Sequence, residues 1–186
     1  MPPMRRINEI FESLQGEGFQ TGTPAVFVRF SGCNLACPFC DTDHRAFTTM
    51  TDEQIATAVA QFKPKLVVLT GGEPGLQVSD QLIDLLHAKG RKVAIETNGT
   101  CPLPAGIDWV TVSPKEGSAL VLTAANEVKV VFQADTDVEK WRNQISADHY
   151  FLQPCSCKNT AETVAYIMTH PHWRLSVQTH KYLGIR

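Results

Sequence analysis

The chain has 186 residues, of which 43% are hydrophobic and 19% are charged, and these values are typical of a single globular domain spanning residues 1–186. Its formal net charge of −2 lacks the basic excess of a nucleic-acid-binding protein, and no run of about 18 apolar residues predicts a membrane span. Residues 1–18 lack the apolar segment of a signal peptide, so we expect a cytoplasmic protein whose six cysteines are not held in disulfides.

Predicted strands and helices alternate along the chain. Short runs rich in Val, Ile and Phe predict strands at residues 25–31, 65–70, 92–97, 108–114, 127–132 and 149–154, with a further candidate at 174–178. Periodic apolar residues predict helices at residues 51–62, 80–90, 136–145 and 159–170. This order indicates an α/β fold of parallel βα units. A full eight-fold barrel needs about 250 residues, so about six core strands predict a reduced or partial βα barrel.

Polar or glycine-rich segments follow five of the predicted strands. They are SGC (31–33), TGGEP (70–74), ETNGT (96–100), SPK (113–115) and QPCS (153–156). The carboxyl ends of parallel strands form the active face in α/β folds. We therefore expect these five segments to meet at the mouth of one site.

The segment GCNLACPFCDTDH, residues 32–44, places Cys33, Cys37 and Cys40 in a C-x3-C-x2-C pattern. With His44 as a fourth ligand, these thiolates could hold a structural zinc ion. Alternatively, they hold an iron–sulfur cluster in which one iron has no cysteine ligand. The spacing alone leaves both readings open. The remaining cysteines are interpreted as incidental thiols: Cys101, Cys155 and Cys157.

The cysteine pattern, with the aromatic Phe39 before its last cysteine, resembles the signature of the radical SAM family. The GGEP segment, residues 71–74, resembles the motif of that family that meets the methionine end of S-adenosylmethionine (SAM). The resemblance implies a full or partial βα barrel. It also implies that three cysteines hold a [4Fe–4S] cluster, whose free iron binds SAM and cleaves it to a 5′-deoxyadenosyl radical.

Within that family, the motifs from EIFESLQGEG (9–18) to WRLSVQTHKYLGIR (173–186) resemble the 7-carboxy-7-deazaguanine synthases nearly end to end. This resemblance implies a lyase of queuosine and deazapurine biosynthesis that converts 6-carboxy-5,6,7,8-tetrahydropterin to 7-carboxy-7-deazaguanine. The radical takes a hydrogen atom from C6, the ring contracts and ammonia is lost. The resemblance further implies Mg²⁺, a flavodoxin- or ferredoxin-type electron donor, and a homodimer.

The resemblance also assigns site residues, and no catalytic side chain among them, because SAM supplies the radical. Thr42 would bind Mg²⁺. SAM would be contacted by Gly72, Glu73, Glu96 (near the ribose), Asn98, Ser113, Pro114, Lys115, Gln153, Pro154, Cys155 and Ser156. The substrate would be contacted by Leu14, Gln15, Gly16, Glu17, Arg29, Thr70, His180 and Arg186, the last through its backbone carboxylate.

Several of these assignments have alternatives. Arg29 could form an internal ion pair with a glutamate instead of binding the substrate carboxylate, and Lys115 could be an ordinary surface lysine. At the level of the whole chain, the alternatives are a glycyl-radical-enzyme activating protein and a zinc or iron–sulfur module without catalytic activity. The activating protein should lack the combination of Arg29, Thr42 and the C-terminal HKYL.

Overall fold

The computed structural model describes residues 3–40, 43, 46–133 and 136–186. Its described residues form one nine-stranded sheet in the order β3-β1-β2-β4-β5-β6-β7-β8-β9. The strands are β1 (Arg5–Leu14), β2 (Pro24–Phe30), β3 (Thr48–Met50), β4 (Leu66–Gly71), β5 (Lys92–Thr97), β6 (Trp109–Val112), β7 (Ala124–Phe132), β8 (Ser146–Pro154) and β9 (Arg174–Leu175).

Six consecutive strands of this sheet, β2 and β4 to β8, run parallel. They correspond to the six predicted core strands, and the sheet does not close on itself: its edges are β3 and β9. The predicted partial α/β barrel is therefore confirmed. The candidate strand at residues 174–178 is reduced to the two residues of β9.

Five α-helices accompany the sheet: α1 (Asp52–Val59), α2 (Asp80–Ala88), α3 (Glu139–Gln144), α4 (Thr160–Thr169) and α5 (Thr179–Leu183). Helix α1 begins at a capping box, in which the Thr51 hydroxyl accepts from Gln54 N and the Gln54 side chain accepts from Thr51 N. The described part of the chain contains no helix that is long and apolar enough to cross a membrane.

The two faces of each central strand carry different kinds of side chain, because successive side chains point to opposite faces. On β2, Val26 and Val28 pack outward in the core shared with α1 and α2, whereas Arg29 points to the other face. On β7, Val128 and Val130 pack in a second core with Trp141 of α3. The inward positions of the parallel strands are consequently free to carry polar side chains.

Three elements were not predicted: β1, β3 and α5. Strand β1, RRINEIFESL, carries charged residues on both sides and pairs antiparallel with β2, so it lacks the apolar run of the central strands. It nevertheless positions the segment after it, residues 15–18, which then folds back toward the sheet interior. Helix α5 has only five residues and no side-chain cap, so no sequence signal marks its start.

Candidate active site

A cavity of about 570 Å³ opens at the carboxyl ends of the parallel strands. Most residues predicted for the site line it, although they come from segments that are far apart in sequence. The lining residues from the predicted set are Leu14, Gln15, Gly16, Glu17, Arg29, Cys33, Cys37, Cys40, Thr70, Gly72, Glu96, Asn98, Ser113, Lys115, Gln153, Pro154, Cys155, Ser156, His180 and Arg186.

Three predicted residues are not among the lining residues. Thr42 lies outside the described residues, as does His44 of the zinc alternative. Pro114 is buried between Ser113 and Lys115. Glu73 is fully buried and accepts hydrogen bonds from Thr97 Oγ1 at 2.7 Å and from the backbone N–H of Asn98 at 2.7 Å. Its carboxylate therefore ties the loop after β4 to the loop after β5.

Glycine brings the loop after β4 against the cysteine segment. Gly72 N donates to Phe30 O and Glu73 N donates to Gly32 O, both at 3.0 Å. A Cβ atom on Gly72 would lie 2.0 Å from Gly32 O, and Gly71 has a φ of +119° that other residues rarely adopt. The two glycines are thus required for the backbone of one strand-end loop to reach the other.

The three cysteines of the motif all line the cavity. Cys33 and Cys40 are exposed and Cys37 is half-buried, and Cys40 N donates to Cys37 O at 3.1 Å. Soft thiolates are the donors that iron–sulfur clusters take, so this donor set fits such a cluster. Within the described residues, no three His, Cys, Asp or Glu side chains lie close enough together to hold a single metal ion.

A buried ion cluster, here called the Lys129 cluster, occupies the inner wall of the cavity and consists of Gln15, Glu17, Thr70, Glu96 and Lys129. The Lys129 side chain is 6% exposed and forms ion pairs with Glu17 and, at 3.3 Å, with Glu96 Oε1. Glu96 also accepts from Gln15 Nε2 at 3.1 Å and from Thr70 Oγ1 at 2.8 Å. The predicted substrate residues therefore surround Glu96, which was predicted to contact the SAM ribose.

Burial and the nearby ammonium act in opposite directions on Glu17. Burial alone would raise the pKa of Glu17, but the charge of Lys129 and hydrogen bonds from Lys129 and Gln178 outweigh it and lower the pKa to about 2. Conversely, burial would lower the pKa of Lys129, and the carboxylates of Glu17, Glu96 and Glu127 raise it instead. Both partners consequently remain ionised at neutral pH.

Arg29 has a carboxylate partner within the protein. Its Nε donates to Glu9 Oε1 at 2.8 Å, and its guanidinium lies over the ring of Phe11 at 5.7 Å. Arg186 pairs with the same glutamate and lies over the same ring at 4.6 Å. The internal ion pair considered from the sequence is thus present. Because both guanidinium groups also line the cavity, two cations share one carboxylate at this wall.

Lys115 differs from the other cations of the cavity. Its Nζ donates to the backbone oxygen of Ser113 at 2.8 Å and to Ser113 Oγ at 2.7 Å. Burial lowers the pKa of Lys115, and no carboxylate of the described residues forms an ion pair with it. An ammonium that is buried without a counter-ion favours the binding of an anion.

The loop after β8 has a strained backbone. Ser156 and Cys157 have φ values of 49° and 61°, which lie in the left-handed region that residues other than glycine rarely occupy. The Asn159 side chain supports this loop, because it accepts from Cys155 N at 2.7 Å and donates to Phe132 O at 2.8 Å. Asn159 precedes α4, yet its side chain makes no capping hydrogen bond to that helix.

Helix α5 closes the cavity on the side of the segment after β1. Thr179 N donates to Gly16 O at 2.9 Å, and a Cβ atom on Gly16 would lie 2.3 Å from His180 Nδ1. The absence of a side chain at Gly16 is thus what allows His180 to line the cavity. Gln178, which precedes the helix, donates to Glu17 Oε1 at 2.9 Å.

Comparison with known proteins decides between the alternatives left open by the sequence. The family model of the radical SAM superfamily matches residues 27–134. A 7-carboxy-7-deazaguanine synthase from Bacteroides thetaiotaomicron is 60% identical over 183 residues, covering 98% of this chain and all of the relative. A second synthase, from Caulobacter vibrioides, is 45% identical and covers 96% of this chain and 98% of the relative. The crystal structure of QueE from Escherichia coli superposes with a TM-score of 0.82 at 31% identity, covering 94% of each chain.

The chain belongs to the 7-carboxy-7-deazaguanine synthase family of radical SAM enzymes. Membership of the radical SAM superfamily supports a [4Fe–4S] cluster and SAM as cofactors, and the assignment of Cys33, Cys37 and Cys40 as the cluster ligands stays a prediction. The predicted family, fold class and enzyme class are confirmed.

Several lining residues of this synthase-family cavity were not predicted from the sequence, among them Glu9, Lys129 and Gln178. Lys129 had a signal. In the predicted strand EVKVVF, Glu127 and Lys129 share one face, and the other face is entirely apolar. A lysine inside a buried parallel strand is rare unless it is paired. Gln178 and Glu9 had none, because their partners are distant in sequence.

Proposed function

We propose that this synthase-family protein converts 6-carboxy-5,6,7,8-tetrahydropterin to 7-carboxy-7-deazaguanine and ammonia, for queuosine or deazapurine biosynthesis. The observation that carries the proposal is that a single cavity is lined by the cysteine motif, the glycine loop after β4 and the Lys129 cluster. The product and ammonia together contain the atoms of the substrate, so the conversion needs no net oxidant or reductant. The cluster and SAM would supply the 5′-deoxyadenosyl radical that takes the hydrogen atom from C6.

The strand-end loops are proposed to hold SAM. Gly72 leaves its backbone open to the ligand, and Asn98 and Ser113 present polar groups on the same wall. Lys115 supplies an ammonium that lacks an ion-pair partner among the described carboxylates, which suits the SAM carboxylate. The loop at residues 153–156 completes this wall, and its strained backbone keeps its polar groups in place without rearrangement on binding.

The opposite wall is proposed to hold the pterin. Arg29 and His180 would bind the substrate carboxylate, since a guanidinium can donate two parallel hydrogen bonds to it. Gln15, Glu17 and Thr70 would contact the ring. Glu96 is assigned to the substrate here and not to the SAM ribose, because its hydrogen-bond partners Gln15 and Thr70 are substrate residues.

Mg²⁺ bound at Thr42 is part of the same proposal. A hydroxyl oxygen is an ordinary magnesium ligand, and the ion usually keeps several waters and takes ligands from the substrate as well. Thr42 follows the last cysteine of the motif by two residues, close in sequence to the site of the radical. The roles of the Arg186 backbone carboxylate, of the flavodoxin- or ferredoxin-type donor and of the homodimer stay predictions.

The test is to incubate the anaerobically reconstituted protein with SAM, a reductant, Mg²⁺ and the carboxytetrahydropterin, and to follow the products by mass spectrometry. We expect 7-carboxy-7-deazaguanine and ammonia in equal amounts, with SAM recovered. Omitting Mg²⁺ should lower the rate. If the protein holds its cluster and binds SAM but forms no deazaguanine, the proposed reaction is wrong.

A further inference from the structure

The buried ammonium of Lys129 calls for an explanation. Burying a charge costs free energy unless the charge is paired, so the buried positions of a parallel strand are usually occupied by apolar residues and not by lysine. Lys129 nevertheless points into the sheet interior, where its side chain is 6% exposed and contacts Glu17 and Glu96. These two carboxylates come from the segment after β1 and from β5, so Lys129 on β7 joins three separate parts of the fold.

We propose that Lys129 is a positioning residue: it holds Glu17 and Glu96 side by side as ionised hydrogen-bond acceptors, and the pair selects a heterocycle that presents adjacent N–H donors. This inference rests on the proposed function of the cavity and deepens it. Lys129 itself does not need to touch the substrate. Its effect reaches the substrate through the two carboxylates.

The hydrogen-bond inventory leaves room for such a ligand. Glu17 accepts from Lys129 and from Gln178 Nε2 at 2.9 Å, and Glu96 accepts from Gln15, Thr70 and Lys129. An ionised carboxylate has about four acceptor sites, so both groups retain acceptor capacity. A pterin carries an amide-like ring N–H next to an amino group, and these are donors. The chemistry of the pair therefore complements that edge.

Other charged groups also face Glu17. His180 and Lys115 interact electrostatically with Glu17 as well, whereas Glu96 and Glu127 act on Lys129 itself. Lys129 provides the strongest of the charges that lower the pKa of Glu17. Because the carboxylates raise the pKa of Lys129 above its ordinary value, the ammonium does not release its proton near neutral pH. The ion pairs with Glu17 and Glu96 and the raised pKa of Lys129 both favour a positioning role.

The first experiment replaces Lys129 by methionine and measures KM for the carboxytetrahydropterin across pH. Without the ammonium, burial should dominate and Glu17 should be partly protonated. We expect KM to rise about 10-fold or more near pH 6.5 and the deficit to shrink as pH increases, because Glu17 becomes ionised again. The dissociation constant for SAM should stay within about 2-fold of that of the wild type. Lys129→Arg, which keeps the charge, should remove the pH dependence.

The second experiment uses no activity and compares the melting temperature Tm at several pH values. In the wild type, Glu17 has a lowered pKa, so its stabilising effect is present above its ordinary value of 4.5 and is lost as pH falls toward about 2. In Lys129→Met the sign reverses: a buried, unpaired Glu17 destabilises the fold increasingly as pH rises. The Tm deficit should therefore grow with pH while the KM deficit shrinks.

Lys140→Met is the matched control, because Lys140 forms an ion pair with Glu116 that is largely exposed. It should change neither the KM profile nor the pH dependence of Tm. If Lys129→Met does not fold, the double variant Lys129→Gln/Glu17→Gln removes both charges. Its KM should be raised, with a smaller dependence on pH than in Lys129→Met, because only Glu96 can still change its protonation.

The proposal is overturned if the KM of Lys129→Met exceeds that of the wild type by the same factor at every pH, and if Tm depends on pH in the same way in both proteins. A pH dependence of KM in the double variant as large as that in Lys129→Met would also overturn it. If the wild type forms no deazaguanine at all, the proposed reaction fails. In that case the direction in which the Tm of Lys129→Met changes with pH, relative to the wild type, still shows whether Lys129 keeps Glu17 ionised.

Discussion

The cavity contains a buried lysine, Lys129, and a half-buried one, Lys115, and their surroundings are opposite. Lys129, inside the sheet, is paired with Glu17 and Glu96, and these carboxylates raise its pKa. Lys115, on a strand-end loop, donates to Ser113 alone among its described hydrogen-bond partners, and burial lowers its pKa. Lysine thus has carboxylate partners within the protein at position 129, and it has none among the described carboxylates at position 115.

This difference extends to the two walls of the cavity. The Lys129 cluster is held together by hydrogen bonds and ion pairs within the protein before any ligand binds, which fixes its geometry in advance of substrate binding. The strand-end loops instead present exposed thiols at Cys33 and Cys40, a backbone edge at Gly72 and the unpaired Lys115. A wall whose side chains hold one another in place is suited to recognition, and a wall that presents exposed thiols and an ammonium without an ion-pair partner among the described carboxylates is suited to holding cofactors.

The largest effect is expected at the cofactor wall, from Cys33→Ala. Removing one of three thiolates should prevent stable binding of the [4Fe–4S] cluster, so product formation should fall below detection. Iron content and the broad absorbance near about 400 nm measure this directly. Cys157→Ser is the control, since Cys157 does not line the cavity, and it should keep about four irons per chain. Full cluster binding by Cys33→Ala would remove Cys33 from the ligand set.

Replacing each lysine by methionine tests the comparison most directly, because the two changes should have opposite signs. Lys129→Met leaves two buried carboxylates unpaired and should lower Tm by about 5–15 °C at neutral pH. Lys115→Met removes an uncompensated charge and should leave Tm unchanged or raise it by a few degrees. In the same variant, the dissociation constant for SAM should rise about 10–100-fold. Thermal unfolding and equilibrium binding of SAM measure the two effects. Equal losses of Tm in both variants would contradict the contrast between the lysines.

Glu96→Gln tests which wall Glu96 serves. The amide keeps one acceptor oxygen, so it loses the negative charge and the hydrogen bond from either Gln15 or Thr70, which reach different oxygens of Glu96, and we expect KM for the carboxytetrahydropterin to rise about 10-fold. The dissociation constant for SAM should change by less than about 2-fold. Steady-state kinetics and SAM binding at equilibrium separate the two outcomes. If Glu96→Gln weakens only SAM binding, Glu96 contacts the SAM ribose, as the sequence predicts.

The smallest effect concerns pH and the stability of the Lys129 cluster. Because the pKa of Glu17 is lowered to about 2, its contribution to the free energy of unfolding is full above its ordinary value of 4.5 and declines as pH falls below it. The Tm difference between wild type and Glu17→Gln should consequently narrow between about pH 6 and about pH 3, by the equivalent of roughly 2 kcal/mol. A difference that stays constant over this range would show that Glu17 is not held ionised.

Residues that sit in local motifs were found from the sequence, and residues assembled by the fold were not. Cys33, Cys37 and Cys40 lie within eight residues, so their spacing alone predicts that they bind one common ligand. Gly72 and Ser113 follow apolar runs and could be placed at strand ends in the same way. Glu96 was predicted to contact SAM from its place at a strand end, and its hydrogen bond with Gln15 has no sequence signal, because it joins positions 81 residues apart.

The sequence by itself determined the α/β class and the six core strands, and it predicted three cysteines as cluster ligands, because each depends on periodicity or spacing within a short segment. Only the tertiary structure decided the charge pairing inside the cavity. Lys129 and Glu17 are separated by 112 positions, and their ion pair exists because β7 and the segment after β1 meet at the inner face of the sheet. Contacts of that kind depend on register and strand order, which no local pattern of residues encodes.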